Sequence, residues 1–450
     1  MAVNPIESRY GRPEVRKIFE EEYKLQKMLD VEAALADAHA RVGNIPRGAA
    51  DEITKKASIV HVRLERVKEI EREINHDVMA MVKALSEQCE KDAGKYVHLG
   101  ATSNDITDTA LALQFKDYLK FLFDDLERLK DVLMNLAKKH KKTVCIGRTH
   151  AQHSLPITYG LKFALWASEI NRHIERMKEC KNRLLVGKMS GAVGTQAAFG
   201  AKGIDIQNIT MKNLGLKPAI VSNQVIQRDR HAEFLLNLAL MGETLNKIAT
   251  EIRNLQRTEI SEVSEGFGKS QVGSSTMPHK RNPIHAERIC GLSRVIKSNA
   301  ITSLDNIPLW HERDLTNSSC ERIIIPEVCI LVDYILNLSI ELLENLEFDF
   351  VNIEKNLELT QGRIMSESVM ILLVEKGFGR QEAHELIRKC AMKSYENKIP
   401  FKEVLMKNSD IVKHVTADEL DAALDPKRYI GTAVQQVDRV LRELGYIHTI

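Results

Sequence analysis

The sequence predicts an all-α protein with three helical domains, the central one a bundle of long helices. Two apolar repeats carry this prediction, because alternating steps of three and four residues form the seam of long, nearly parallel helices. The repeats are Leu119, Leu122, Leu126, Leu129, Leu133 and Leu136, and Leu238, Met241, Leu245, Ile248, Ile252 and Leu255. Alternating strand patterns are sparse, and the 5% of aromatic residues suits aliphatic helix packing.

The predicted elements follow one another along the chain in three segments. An N-terminal helical domain covers 1–104 and ends at the polar turn that begins with Gly100. The central bundle, 105–350, begins at Asp105, and its further long helices are expected over 158–185, 219–257 and 326–346. The segment 219–257 holds no proline and one glycine, so a helix of roughly forty residues is allowed there. Shorter helices are expected over 351–450, with breaks at Gly377, Pro400 and Pro426.

The length of the two seams predicts self-association. Apolar edges as long as these exceed what one slender chain is expected to bury, and closed symmetry is the simplest way to cover them. We therefore expect a homo-oligomer.

Composition excludes several classes of function. The 450 residues carry 64 Lys and Arg against 62 Asp and Glu, a net charge of +2, with no basic block for nucleic acid or a membrane surface. Seven scattered cysteines without a Cys-x-x-Cys pair indicate a reducing compartment rather than disulfides or structural zinc. We find no signal core at the N-terminus and no apolar run of about 18 residues, so we expect a soluble cytoplasmic protein.

The segment from Gly273 to Pro283, Gly-Ser-Ser-Thr-Met-Pro-His-Lys-Arg-Asn-Pro, is the strongest functional signal. Its two prolines exclude a regular helix, and its hydroxyl, cationic and amide groups fit a loop that closes over an anion. A basic surface turn is the alternative interpretation.

This loop resembles the signature loop of the fumarase/aspartase superfamily, whose members eliminate fumarate from succinyl-bearing substrates. Other segments point the same way, in the same order along the chain. They are Ser8-Arg9-Tyr10-Gly11, Asn75-His76-Asp77, Gly100-Ala101-Thr102-Ser103-Asn104-Asp105, Gly147-Arg148-Thr149-His150-Ala151-Gln152, Gln224 to Arg230, Trp310 to Asp314 and Ser318 to Arg322. The resemblance covers the chain from its first ten residues to about position 326.

The resemblance implies four catalytic residues. Ser274 would be the general base, working as an alkoxide stabilised by neighbouring donors, and His150 the general acid that protonates the leaving nitrogen. Glu287 would orient that histidine, and His76 would be a second active-site histidine. Taken without the resemblance, the serine pair fits a local turn, Glu287 an exposed helical residue, and His150 a surface or capping residue.

The resemblance also implies a set of substrate-binding residues. Lys280 and Asn282 would hold one carboxylate, and the hydroxyls and free N–H groups at Thr102 and Ser103 a second, although a plain helix cap is also possible there. Arginines suit phosphate through bidentate contacts. The full set is Arg9, Tyr10, Asn75, His76, Asp77, Thr102, Ser103, Thr149, Gln224, Ser275, Lys280, Arg281, Asn282, Arg313, Ser318 and Arg322.

Together these features predict a lyase that releases fumarate from succinylated purine nucleotides. The resemblance implies a homotetramer with sites shared between subunits, a small-molecule nucleotide substrate, no cofactor and no metal. Two alternatives stay open: a sister enzyme acting on argininosuccinate or a carboxymuconate, or a relative that has lost catalysis. Arg9-Tyr10 and the segment 318–322 favour a nucleotide.

Overall fold

The computed structural model describes residues 4–268, 276–277 and 279–446, and helices dominate it, which confirms the all-α prediction. Medium-length helices form the N-terminal segment. They are α1 (Pro13–Ile18), α2 (Glu21–Arg41), α3 (Arg47–Lys56), α4 (Leu64–Ile74) and α5 (Asp77–Gln88). Short 3₁₀ helices occur at Pro5–Glu7, Ala93–Tyr96, Ala197–Lys202, Ser303–Asn306 and Arg363–Met365.

Long helices follow, as the apolar repeats predicted. They are α6 (Ser103–Lys139), α7 (Tyr159–Leu184), α9 (Asp229–Leu255), α10 (Ile284–Thr302) and α11 (Thr316–Glu344), and the shorter α8 (Gly203–Leu214) lies between α7 and α9 in the chain. α6 begins two residues before the predicted Asp105, and α7 agrees with its predicted bounds to one residue at each end.

The seams are buried within the single chain. Leu119 to Leu133 along α6 and Leu238 to Leu255 along α9 are at most 3% exposed, and only Leu136 is half-buried. The argument that these seams need partner subunits was therefore wrong, because neighbouring helices of the same chain already cover them. Apolar side chains on other faces stay exposed, among them Leu165, Leu240, Ile301 and Ile323.

The expected forty-residue helix over 219–257 is shorter, because α9 begins only at Asp229. Side chains satisfy the backbone ahead of it: the N–H of Ile226 donates to Asp108 at 2.8 Å, and that of Val225 to Asn223 at 3.0 Å. Asn and Asp side chains compete with helical hydrogen bonding in this way.

α11 corrects two expectations. It begins at Thr316 and passes through Pro326 instead of starting there, since Asp314 caps its first turn at the N–H of Thr316 and buried Ile324, Ile325 and Val328 flank the proline. It also contains an 18-residue window apolar enough to cross a membrane, so the expectation that the chain has no such run was wrong. Because 72% of that window is buried, α11 is a core helix.

Short strands form three two-stranded sheets within the described residues. β1 (Val144–Thr149) and β2 (Gln152–Thr158) make an antiparallel hairpin that the sequence patterns did not indicate. β3 (Val186–Gly187) pairs parallel with β4 (Lys217–Pro218), and β5 (Val263–Ser264) pairs antiparallel with β6 (Glu347–Phe348).

Shorter helices follow β6, as predicted. They are α12 (Phe350–Glu358), α13 (Ser366–Glu375), α14 (Arg380–Asn397), α15 (Phe401–Met406), α16 (Ser409–Val412), α17 (Ala417–Leu424) and α18 (Ala433–Glu443). Gly377, with a φ of +99°, and Pro400, at the N-cap of α15, interrupt the helices where expected.

The chain forms two compact units, each with its own core. Unit one comprises Met1–Leu126, Arg172–Asn246 and Ile289–Leu338, and unit two Glu127–Asn171, Lys247–Arg288 and Ser339–Ile450. One core of unit one packs α2 to α5 against the first turns of α6 and against α8, and one core of unit two joins α13 to α17. The division into three domains stays a prediction.

Candidate active site

His150 lies at the tip of the β1–β2 hairpin in unit two. Thr149 pairs with Gln152, so the turn consists of His150 and Ala151 alone, with φ values of +53° and +59°. Two-residue turns of this kind match the twist of a hairpin, but non-glycine residues seldom adopt positive φ, and such strain concentrates at functional sites. Both Thr149 and His150 are exposed. The hairpin therefore presents an imidazole to the solvent on a rigid support.

A buried carboxylate, that of Glu262, is hydrogen-bonded to the first strand of this hairpin. Glu262 is 0% exposed and accepts hydrogen bonds from Arg148 on β1 and from Tyr159 at the start of α7. Asn356 of α12 adds a third donor at 2.9 Å. A buried carboxylate with this many donors stays fixed. Glu262 thus fixes the strand that leads into Thr149 and His150.

The signature loop is described only in part. Ser274 and Ser275 lie outside the described residues. Lys280 is exposed and Asn282 half-buried, just before α10 begins. Arg281, which is predicted to bind the substrate, forms an ion pair with Glu347 at 3.4 Å. Its guanidinium lies 5.0 Å from the ring centroid of Phe267.

Glu287 is exposed on the first turn of α10. Within the described residues, the structure does not join Glu287 to His150 by a hydrogen bond. The orienting role of Glu287 stays a prediction.

In unit one, Thr102 and Ser103 form the N-terminus of α6. Asp105 holds this turn: its carboxylate accepts the N–H of Thr102 at 2.9 Å and those of Ser190 and Gly191 at 2.8 and 3.0 Å. The ammonium of Lys188, like Asp105 fully buried, pairs with the same carboxylate. The two half-buried hydroxyl residues are thereby held next to the positive end of a long helix, where an anion is favoured.

Arg313 and Gln224 meet beside this turn. Nη1 of Arg313 donates to Oε1 of Gln224 at 3.2 Å and to Oδ1 of Asn104 at 2.8 Å. Gln224 in turn donates to the carbonyl of Ala192 at 3.1 Å. A cation and two amides therefore meet at the turn that begins α6, next in sequence to Thr102 and Ser103, and such donors suit a carboxylate or phosphate.

The Asn75-His76-Asp77 segment lies where α4 gives way to α5. Asn75 ends α4 with a φ of +53°, and His76 caps α5 by accepting the N–H of Met79 at 3.3 Å. Asp77 forms an ion pair with Arg322 of α11 at 2.6 Å, so two residues that are predicted to bind the substrate contact each other here. Burial would raise the pKa of Asp77, but hydrogen bonds from Val78 and Arg322 lower it.

The structure does not bring Arg9 and Tyr10 to this group. The ring of Tyr10 packs 5.1 Å from that of Tyr334, late in α11. Ser318, half-buried, and Arg322 lie in the first turns of α11, which at 1.5 Å per residue places Tyr334 about 18–24 Å further along the axis. Tyr10 therefore contacts a part of α11 well separated from Ser318 and Arg322.

One cluster was missed by the sequence interpretation: a buried charge network behind these residues. Arg228 binds Asp108 of α6 at 2.7 and 2.9 Å and Glu321 of α11 at 2.9 and 3.0 Å. The available signal was their place in the quoted motifs, since Arg228 and Glu321 lie in the segments 224–230 and 318–322. Among the residues that the structure describes, no group of three or more His, Cys, Asp and Glu is placed to hold a metal ion.

Residues 8–297 match the lyase family, and residues 362–440 match the adenylosuccinate lyase C-terminus family. The chain is 57% identical to the adenylosuccinate lyase of Methanocaldococcus jannaschii, over 99% of this chain and 96% of that protein. It is 58% identical to the adenylosuccinate lyase of Pyrococcus abyssi, over 98% of each. The chain belongs to the adenylosuccinate lyase family.

Membership confirms the superfamily resemblance, and it makes the chain a soluble carbon–nitrogen lyase of purine biosynthesis. The fold agrees with a second kind of relative. The crystal structure of the 3-carboxy-cis,cis-muconate lactonizing enzyme from Pseudomonas putida matches with a TM-score of 0.90 and 34% identity, over 98% of this chain and 99% of that one. The lower identity places the carboxymuconate alternative behind the adenylosuccinate lyase family. The roles of single residues stay predictions.

Proposed function

We propose that this enzyme eliminates fumarate from adenylosuccinate to give AMP, and from succinylaminoimidazole carboxamide ribotide to give the corresponding aminoimidazole carboxamide ribotide. The near-complete, 57% identical match to an adenylosuccinate lyase carries this proposal. The cytoplasm is its proposed location, which agrees with seven cysteines that form no disulfide within the part of the chain that the structure describes.

The chemistry divides into three tasks: removing a proton next to a carboxylate, stabilising the resulting carbanion, and protonating the departing nitrogen. Ser274 is the proposed base and His150 the proposed acid. Lys280 and Asn282 would hold the carboxylate onto which the negative charge spreads. The exposure of His150 at a strained, rigid turn supports its role, because an acid must reach the substrate without rearranging.

The second carboxylate and the phosphate would meet unit one. Arg313, Gln224 and Asn104 are joined by hydrogen bonds, Thr102 and Ser103 precede Asn104 at the start of α6, and the donors of these residues suit an anion. In the bound state we expect Arg322 to exchange part of its contact with Asp77 for the substrate. Both residues are partly exposed, so this exchange requires little desolvation.

We further propose that the active site is shared between subunits of a homotetramer. The separation of roughly 18 Å along α11 between Arg322 and Tyr334, against which Tyr10 packs, supports this, because a site within one chain would have to span it. Exposed apolar residues on the long helices, such as Leu240 and Ile323, offer surface for a partner.

A substrate panel tests the activity. The purified enzyme should change the ultraviolet absorbance of adenylosuccinate and release fumarate from it, while argininosuccinate and a carboxymuconate should give no turnover. Turnover of one of the other two substrates would replace the proposal with a sister activity. No turnover of any would favour the non-catalytic relative.

Mixing two inactive variants tests the shared site. We expect His150→Ala and Ser274→Ala subunits, dissociated gently and reassembled together, to recover part of the activity, since some sites would then draw both intact residues from different chains. Each variant taken through the same treatment alone is the control. No recovery after mass spectrometry has shown mixed tetramers would mean that both residues come from one chain.

A further inference from the structure

The base of the signature loop is closed by a set of contacts that the proposed reaction does not itself require. The segment that carries the signature loop follows β5 and ends where α10 begins, all within unit two. Glu265 and Gln256, neither of which has a predicted catalytic role, connect the two ends.

Glu265 binds the returning end of the loop. Its side chain is 4% exposed, and its two oxygens accept the N–H of His285 at 3.2 Å and of Ala286 at 2.7 Å. These are donors in the first turn of α10 that have no partner within the helix. A carboxylate at this position combines charge-assisted hydrogen bonds with the favourable end of the helix dipole. Nδ1 of His285 lies 3.3 Å from the same carboxylate.

Gln256 joins both ends with one side chain. It lies just after α9, where its Oε1 accepts the N–H of Glu265 at 3.0 Å and its Nε2 donates to the carbonyl of Arg281 at 3.1 Å. A primary amide can accept one hydrogen bond and donate another at the same time. Here the backbone offers an N–H at Glu265 and a carbonyl at Arg281. The residue therefore bridges the outgoing and the returning backbone.

Two further contacts stiffen the same region. A side chain on Gly266 would approach the carbonyl oxygen of Asn345 to 2.6 Å, so the outgoing backbone lies directly against the end of α11. The guanidinium of Arg281 lies 5.0 Å from the ring centroid of Phe267, across the base of the loop. The described backbone that precedes residues 269–275 and the described backbone at Arg281 are thus both held in place.

We infer that Glu265 and Gln256 are positioning residues, which close the base of the signature loop and fix how its reactive groups and the first turn of α10, with Glu287, enter the active site. This inference rests on the proposed function, because the reactive groups are Ser274 and Lys280. Misplacing such groups by about 1 Å can lower the rate by on the order of a hundredfold. A plain helix cap is the alternative, and it would affect stability alone.

Glu265→Ala and Gln256→Ala test the inference by steady-state kinetics. We expect each to lower kcat for adenylosuccinate by about 10- to 100-fold. The affinity for AMP, measured by titration calorimetry, should stay within about twofold, because the outlying parts of the ligand do not depend on the loop. Glu265→Gln keeps one acceptor oxygen and should retain more activity than Glu265→Ala. Because both residues act on one structure, the double variant should lose less than the product of the single losses.

Trypsin provides a readout that is independent of activity. Cleavage after Lys280 and Arg281 should be about tenfold faster in both variants, since an open base lets the loop unfold locally more often. Glu259→Gln is the matched control, because the Glu259 side chain is 74% exposed and precedes β5. Its kcat and its rate of cleavage by trypsin should match those of the unsubstituted enzyme.

Three results would overturn the inference. One is a kcat within about twofold of the control in both alanine variants. Another is a fall in kcat that is accompanied by weaker AMP binding and a lower melting temperature, which would indicate general loss of structure. The third is an unchanged rate of cleavage by trypsin in both variants. This result tests the positioning role even if the unsubstituted enzyme does not turn over adenylosuccinate. That lack of turnover would reject the proposed function alone.

Discussion

Replacing His150 by alanine should lower kcat by about 10²–10⁴-fold, the usual contribution of a general acid. The fold should stay intact, because the side chain is exposed and the neighbouring Ala151 shows that alanine adopts a positive φ in this turn. Stopped assays of fumarate release measure the loss, and circular dichroism checks the fold. His384→Ala, which removes an exposed histidine from α14, is the matched control and should keep full activity.

Ser274→Ala should have an effect of similar size for the complementary reason, since it removes the proposed base. AMP should still bind, because the hydroxyl acts on the succinyl group rather than on the nucleotide. Near-normal turnover of either variant, in a folded oligomer, would contradict the assignment of base and acid. Loss of activity together with loss of AMP binding would indicate a disrupted site instead of a missing proton transfer.

The fold class could be predicted because the information is local. Each seam repeats every three or four residues, so a short stretch of sequence indicates a helix and its buried face together, and the six seam residues between Leu238 and Leu255 are all buried. The β1–β2 hairpin was missed for the converse reason. Its strands are short, they alternate poorly, and the turn of His150 and Ala151 lacks the Asn-Gly or Gly residues that normally indicate a hairpin.

Self-association shows where apolar periodicity is insufficient. The repeat shows that a helix face is buried, but it does not say whether the same chain or another chain buries it. Leu126 and Leu245 are both 0% exposed in the single chain, so they give no reason for a partner. Exposed Leu240, only five residues from Leu245 on the same helix, provides a better reason.

The motifs indicate candidate site residues, but they do not indicate how these residues pair. Arg322 and Asp77 lie 245 positions apart, and Arg313 and Asn104 lie 209 apart. Contacts at such separations follow from the tertiary arrangement of the helices. Glu265 and Gln256 were missed for a related reason, because their partners are mainly backbone groups, which every residue carries.

Arg228 is the residue whose loss should reduce stability most. Its guanidinium has five N–H donors, and each has an acceptor: two contacts go to Asp108, two to Glu321 and one to the carbonyl of Ile226 at 2.7 Å. The three charged side chains are at most 10% exposed. The network therefore fastens α6, α11 and the segment that carries Gln224 in unit one, largely shielded from solvent.

The pKa of Asp108 shows how strongly this network acts on the carboxylate. Burial would raise it, but the charge and hydrogen bonds of Arg228 lower it to about 2, below its ordinary value of 3.8. A pKa that is lower in the folded state stabilises the protein at pH values above the unfolded pKa. This stabilisation is lost as the pH falls from about 4 to about 2.

Arg228→Met should lower the free energy of unfolding by about 3–5 kcal/mol near pH 7, because it leaves two buried carboxylates without their cation. Unfolding in urea, followed at one fixed protein concentration, measures the change. Without the arginine, burial should raise the pKa of Asp108, so protonation should relieve the unpaired charge and the deficit should shrink as the pH is lowered toward 4. Arg439→Met removes the exposed partner of Glu443 and should leave stability unchanged. If the Arg228 variant were no less stable than this control, or if its deficit grew with acidity, the network would not be a stabilising ion cluster, and the orientation of Gln224 would need another cause.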